Sequence, residues 1–167
     1  MSVTRQPTSN QSADPGQGGS AVTSPSNTGH ASTICSAGPG ANATKSCKWT
    51  GFADVSGSRS SVKLFFDWSQ NGDVNDGSSN EFRVQYSING GSNWNTIFDH
   101  TGFQDSASNN NEQVTLSNSQ DLTQVQVRDL LFTQSTAEDG SAMTATVSNI
   151  RIEVEQSGGL AILAGGT

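Results

Sequence analysis

The sequence is short of the residues on which most chemistry and most charged partners depend. Histidine occurs only at His30 and His100, and cysteine only at Cys35 and Cys47. A Ser-His-Asp triad or a histidine-rich metal centre therefore lacks parts. No G-x-S-x-G, H-E-x-x-H or P-loop segment is present. The expectation is a protein that is not an enzyme and carries no organic cofactor. Lysine and arginine total 8 against 15 acids, a formal net charge of −7, and the basic residues are isolated. Nucleic-acid binding needs clustered cations to displace counterions, so no nucleic-acid partner is expected. No apolar run approaches the roughly 18 residues of a membrane helix, so no membrane span is expected.

Large apolar residues are also sparse, while Ser, Thr, Asn, Gln and Gly abound. That excludes a large helical core. It suits an all-β protein, where only alternate strand residues must be apolar. From Trp49 onward strand signals recur: KWTGFADV, SVKLFFDW, EFRVQYSI, NWNTIFDH, EQVTLS, DLTQVQVRDLLFTQ and AMTATVSNIRIEVE. In the last, Ile150, Ile152 and Val154 alternate with Arg151, Glu153 and Glu155. QDSASNNN reads as a loop, and a phase slip suggests a bulge near Asp129. The pattern predicts an antiparallel β-sandwich of seven or eight strands, jelly-roll or Ig-like, over residues 49–156.

Residues 1–48 differ in composition. They hold all 4 prolines, and their only branched aliphatics are Val3, Val22 and Ile34. Such a segment buries too little apolar area to offset its ordering entropy. It reads as an extended arm that reaches neighbouring subunits rather than its own domain. Its charge is weakly positive, from Arg5, Lys45 and Lys48 against Asp14. Residues 157–167, SGGLAILAGGT, form a small apolar tail that packs on its own sandwich or on a neighbour.

Cys35 and Cys47 are too far apart for a CxxC redox motif, and no second pair completes a zinc site. They are expected to bond, closing a Gly/Pro-rich loop for about 3 kcal/mol; the alternative is two unpaired thiols. The loop SQNGDVNDGSSNE offers calcium the oxygens of Asp73, Asn75 and Asp76. Its fragment D-V-N-D-G resembles the calcium loops of dockerin and EF-hand proteins, one residue short and without a glutamate at the twelfth position. A polar hairpin loop shaped by Asn and Gly is the plainer reading. Trp49, Trp68 and Trp94 offer rings for a sugar or protein contact, though aromatics more often fill the core.

The stretch SINGGSNW, residues 87–94, follows the alternating strand FRVQYSI. Asn89, Gly90 and Gly91 tolerate positive φ, as a tight hairpin demands. The stretch resembles the Asp-box of bacterial sialidases and other secreted β-proteins, S-x-D-x-G-x-x-W. Ser87, Gly91 and Trp94 match, and Asn89 stands where that motif has Asp. The resemblance implies a folding element away from any active site, and the hairpin reading expects Trp94 to be largely buried. The sandwich as a whole resembles structural domains of tailed-bacteriophage virions and secreted bacterial proteins. The N-terminus lacks the charged-then-apolar profile of a secretory signal, which suits a virion component released by lysis. These features lead to the expectation of a non-enzymatic virion protein, such as capsid decoration or a tail or fibre part. Its partners would be copies of itself and other virion proteins. The alternative is a secreted carbohydrate-binding module or adhesin for surface glycans.

Overall fold

The computed structural model describes residues 1–12, 33–37, 43–71, 81–101, 106–133 and 143–158. They form ten strands: β1 (Ser2–Arg5), β2 (Ser9–Ser12), β3 (Thr33–Ala37), β4 (Ala43–Thr50), β5 (Arg59–Asn71), β6 (Glu81–Ser87), β7 (Asn95–Thr101), β8 (Ser106–Thr115), β9 (Gln126–Thr133) and β10 (Met143–Gln156). The central strand β5 shows how the sequence sets the architecture. Val62, Leu64, Phe66 and Trp68 are buried, while Lys63, Phe65, Asp67 and Ser69 are not. Period two places these sets on opposite faces of a strand. The buried faces of two antiparallel sheets meet in one core, which makes the protein a β-sandwich. Trp68 of β5 stacks on Phe98 of β7 across the interior, with ring centroids 4.0 Å apart.

One sheet runs β1-β10-β5-β8, with β3 also on β10, and the other runs β2-β4-β9-β6-β7. Because β5 lies along the other side of β10, β1 and β3 share one edge of it end to end. The pairs β3–β10, β4–β9, β5–β8 and β6–β7 are all antiparallel and nested, one inside the next. A long hairpin of eight strands rolled up in this way is the order of a jelly roll.

Several expectations need correction. A boundary at residue 48 does not divide the structure, because β4 runs through it to Thr50. Nor is the described part of the arm reserved for neighbours. β1 extends one sheet and β2 the other, with a buried Pro7 between them. Edge pairing is made by backbone N–H and C=O groups, so it needs few apolar side chains. Val3 packs on the core from this stretch as well. QDSASNNN contains the first half of a strand, since β8 starts at Ser106 and pairs along β5. Asn side chains suit its exposed edge position, where packing is not required.

No bulge lies at Asp129. The register of β9 is continuous there with both β4 and β6. The phase slip came from an acid on the core face: Val125, Val127 and Asp129 are all buried in sequence. The Asp129 carboxylate accepts the backbone N–H of Cys47 at 2.6 Å, which offsets part of its burial cost. A short 3₁₀ turn, Leu122–Gln124, precedes β9, with Asp121 accepting the N–H of Thr123.

Cys47 is buried in the core of β4. Cys35 stands in β3 opposite Ala145, and its side chain lies outside the described residues. The expected Cys35–Cys47 bond is not formed: there is no disulfide among the described residues. The apolar stretch Leu160–Ala164 of the tail also lies outside them.

Candidate functional site

The feature that departs most from a regular sheet lies on the outer face of β10, β5 and β8. Between Ser148 and Arg151, β10 advances three residues while β5 advances two, from Asp67 to Phe65. Between Asn109 and Glu112, β8 advances three while β5 advances two, from Trp68 to Phe66. Each neighbour of β5 thus carries one surplus residue, and the two bulges flank Asp67. Asn149 has φ 53° and Asn111 has φ 60°. Asparagine enters this left-handed region at less cost than most side chains. Bulges of this kind bend strands and re-aim side chains, and they concentrate near functional sites.

Asp67 ties the two bulges together. Its Oδ1 accepts the backbone N–H of Asn111 at 2.7 Å. Its Oδ2 accepts the side-chain amide of Asn149. Arg151 closes the ring from the other side. Its guanidinium donates to Asn111 Oδ1 at 2.9 Å, to the Asn149 carbonyl at 3.3 Å and to Glu153 Oε1 at 2.7 Å. It also lies 4.6 Å over the Phe65 ring. The result is a hollow of about 460 Å³ lined by Gln6, Asp67, Asn110, Asn111, Asn149 and Arg151. Gln6 comes from the residues between β1 and β2, so the N-terminal segment helps build the rim.

The outer face of the second sheet is filled instead. Arg128 lies 4.1 Å over the Trp94 ring. Its Nε donates to Gln85 Oε1 at 2.8 Å, and the Gln85 amide donates to Thr96 at 3.1 Å. Trp94 is half-buried beneath this layer, not largely buried as the hairpin reading expected. The turn itself forms as the residues predict. Gly90 and Gly91 have φ 69° and 89°. Ser87 Oγ accepts the N–H of Gly91 at 2.9 Å, and Asn89 Oδ1 accepts the N–H of Asn93 at 2.9 Å.

The other residues singled out by sequence do not gather into a site. Trp49 and Trp68 are buried among core side chains, which removes both from any surface contact. Asp73, Asn75 and Asp76 lie outside the described residues. Among the described residues, no three His, Cys, Asp or Glu side chains cluster as metal ligands. The hollow was missed because its members are scattered through the chain and unremarkable singly. One local signal existed: Val147 and Ile150 are both apolar core residues three apart, where an unbroken strand would space them by two. No protein-family model matches this chain, and no curated protein shows significant similarity to it. Fold and site define its class: a jelly-roll β-sandwich with a polar hollow on one outer face.

Proposed function

We propose that the chain is a non-enzymatic structural protein of a virus particle, of the bacteriophage decoration, tail or fibre kind. The observation that carries this reading is the nested strand order. Jelly rolls recur in viral capsid domains and in lectins, and the argument is one of analogy between folds. The surface supports it. Among the described residues only Met1 and Ile88 are exposed large hydrophobics, and amides and hydroxyls dominate the outward strand positions. That suits a domain displayed on the outside of a particle. Residues 2–12 are engaged in the chain's own sheets, so contacts with other subunits fall to the sandwich surface and to other parts of the chain. The test is mass spectrometry of gradient-purified particles from the source lysate. The chain should band with the particle proteins at a fixed ratio. Recovery only in the particle-free fraction would reject the reading.

A second reading, a carbohydrate-binding module, is favoured by one observation, the polar hollow around Asp67. Trp49 and Trp68 lie in the core and offer no ring to a sugar.

A further inference from the structure

We infer that the hollow around Asp67 is a binding site for a neutral sugar ring, recognised through its hydroxyl groups. The inference rests on the carbohydrate reading and gives it a site. It stands whether or not the chain belongs to a particle.

The first argument is hydrogen-bonding capacity. A carboxylate offers about four lone-pair positions and a guanidinium five N–H donors. Asp67 uses one position on each oxygen, for Asn111 and Asn149. Arg151 commits single donors to Glu153, Asn149 and Asn111. The Asn111 side chain accepts from Arg151 through Oδ1, which leaves its amide N–H groups to point elsewhere. Asn110 lies on the rim with its side chain exposed. The hollow therefore presents donors and acceptors interleaved within a few ångströms. A hydroxyl both donates and accepts, so a ring bearing several hydroxyls satisfies such a mixture. A ligand offering only acceptors, or only donors, would leave half of the lining unmatched.

The second argument is charge. Asp67 and Arg151 are the charged residues of the lining, and Arg151 also pairs with Glu153, whose cross-strand neighbour is Lys63. The lining is balanced in charge and gives an anion no surplus of cations to hold it, so phosphate esters and acidic sugars are disfavoured. The third is preorganisation. The bulges, the left-handed asparagines and the Asp67 bridges fix the lining before a ligand arrives, so little side-chain ordering is charged to binding. The Phe65 ring already stacks under Arg151. Binding thus rests on hydrogen bonds rather than on ring stacking, and a dissociation constant on the order of 1 mM is expected.

The test is a backbone-amide NMR titration of the full chain with the methyl glycosides of glucose, galactose, mannose and N-acetylglucosamine, each alone. At least one should give saturable shifts confined to Asp67, Asn109–Asn111, Asn149 and Arg151. Asn110→Ala should weaken that binding about threefold or more, as the loss of one or two hydrogen bonds implies. Its melting should stay close to that of the parent, since the side chain is exposed. The inference is overturned by no saturable shift with any of the four, or by shifts gathered at Trp94. It is equally overturned if calcium chloride without sugar moves the same amides, which would make the hollow a cation site.

Discussion

The outer faces of the two sheets deal with the same problem in opposite ways. Each sheet contains surplus residues that disrupt its ladder. In the sheet of β6 and β7, register shifts at Val84–Gln85, and the long side chains of Trp94, Arg128 and Gln85 spread over that face. In the sheet of β5, two bulges flank one residue, and the side chains there are mostly short: Asp67, Asn110, Asn111 and Asn149. Short polar side chains bind each other without covering the gap, so a hollow remains. A bulge is therefore not enough to make a site; what decides is whether neighbouring side chains are long enough to fill it.

The strongest way to break this contrast is to remove the layer beneath both faces. Trp68 adjoins Asp67 in β5 but faces inward, against Phe82 and Phe98 of the other sheet. Trp68→Ala should destabilise the protein by about 3–5 kcal/mol, the usual cost of deleting a core aromatic. Urea denaturation monitored by circular dichroism would measure it. A loss below 1 kcal/mol would mean that the two sheets are not held together at this point.

Asp67 probes the bulged face alone. Asp67→Ala removes the acceptor for both bridges and strands the Asn111 N–H. Hydrogen bonds to a charged group are worth about 1.5–3 kcal/mol each when buried. Asp67 is only half-buried, so a total near 2 kcal/mol is expected. Asp67→Asn keeps the Oδ1 acceptor and should lose roughly half of that. Hydrogen exchange at the Asn111 amide should accelerate in the alanine variant while exchange in β6 and β7 stays unchanged. Uniform acceleration would show that the two faces are one cooperative unit.

Where apolar alternation was clean, as in β5, β6 and the second half of β10, strands could be read from sequence because burial itself dictates the pattern. Three features could not. The strands β1 and β2 are held by backbone pairing, to which composition is nearly blind. At Asp129 an acid occupies a core position, and its partner, the Cys47 N–H, lies 82 residues away. The hollow arises only when surplus residues in β8 and β10 arrive beside the same residue of β5. That coincidence belongs to strand order, which alternation does not encode. The Trp94 error has a related cause, because its neighbour Arg128 comes from a distant strand.

The filled face can be tested by Trp94→Ala. A core tryptophan would cost several kcal/mol, but Trp94 is half-buried and its specific partner is one guanidinium. An exposed cation–π contact is worth about 0.5–1 kcal/mol, so a loss of about 1 kcal/mol is expected. Arg128 retains its bond to Gln85 in this variant, which should hold the face together. A loss of 3 kcal/mol or more, by the scale of core aromatic deletions, would return Trp94 to the core and erase the contrast between the faces.

The smallest effect concerns neither face but the loop end of the sandwich. Arg59, nearly buried, donates to the carbonyls of Val55 and Gln120 and pairs with Asp54 at 2.6 Å. It clips the loop after β4 to the loop before β9. Burial works to raise the Asp54 pKa, but the backbone N–H groups of Val55 and Leu122 and the Arg59 guanidinium outweigh it and hold the carboxyl below its ordinary value. A carboxylate with a lowered folded-state pKa adds stability above its unfolded pKa, and that share is lost as pH falls through the folded value. The sign therefore predicts a loss on acidification, setting in below about pH 4, near the ordinary aspartate value. Asp54 is exposed enough for solvent and salt to screen the pair, so the effect should be small and should shrink in added salt. Melting curves of the parent and of Asp54→Asn, compared between pH 6 and pH 3, isolate it. The difference between the two proteins should narrow as pH falls. A gap that stays constant across this range would show that Asp54 acts through shape and hydrogen bonding, with no contribution from its charge.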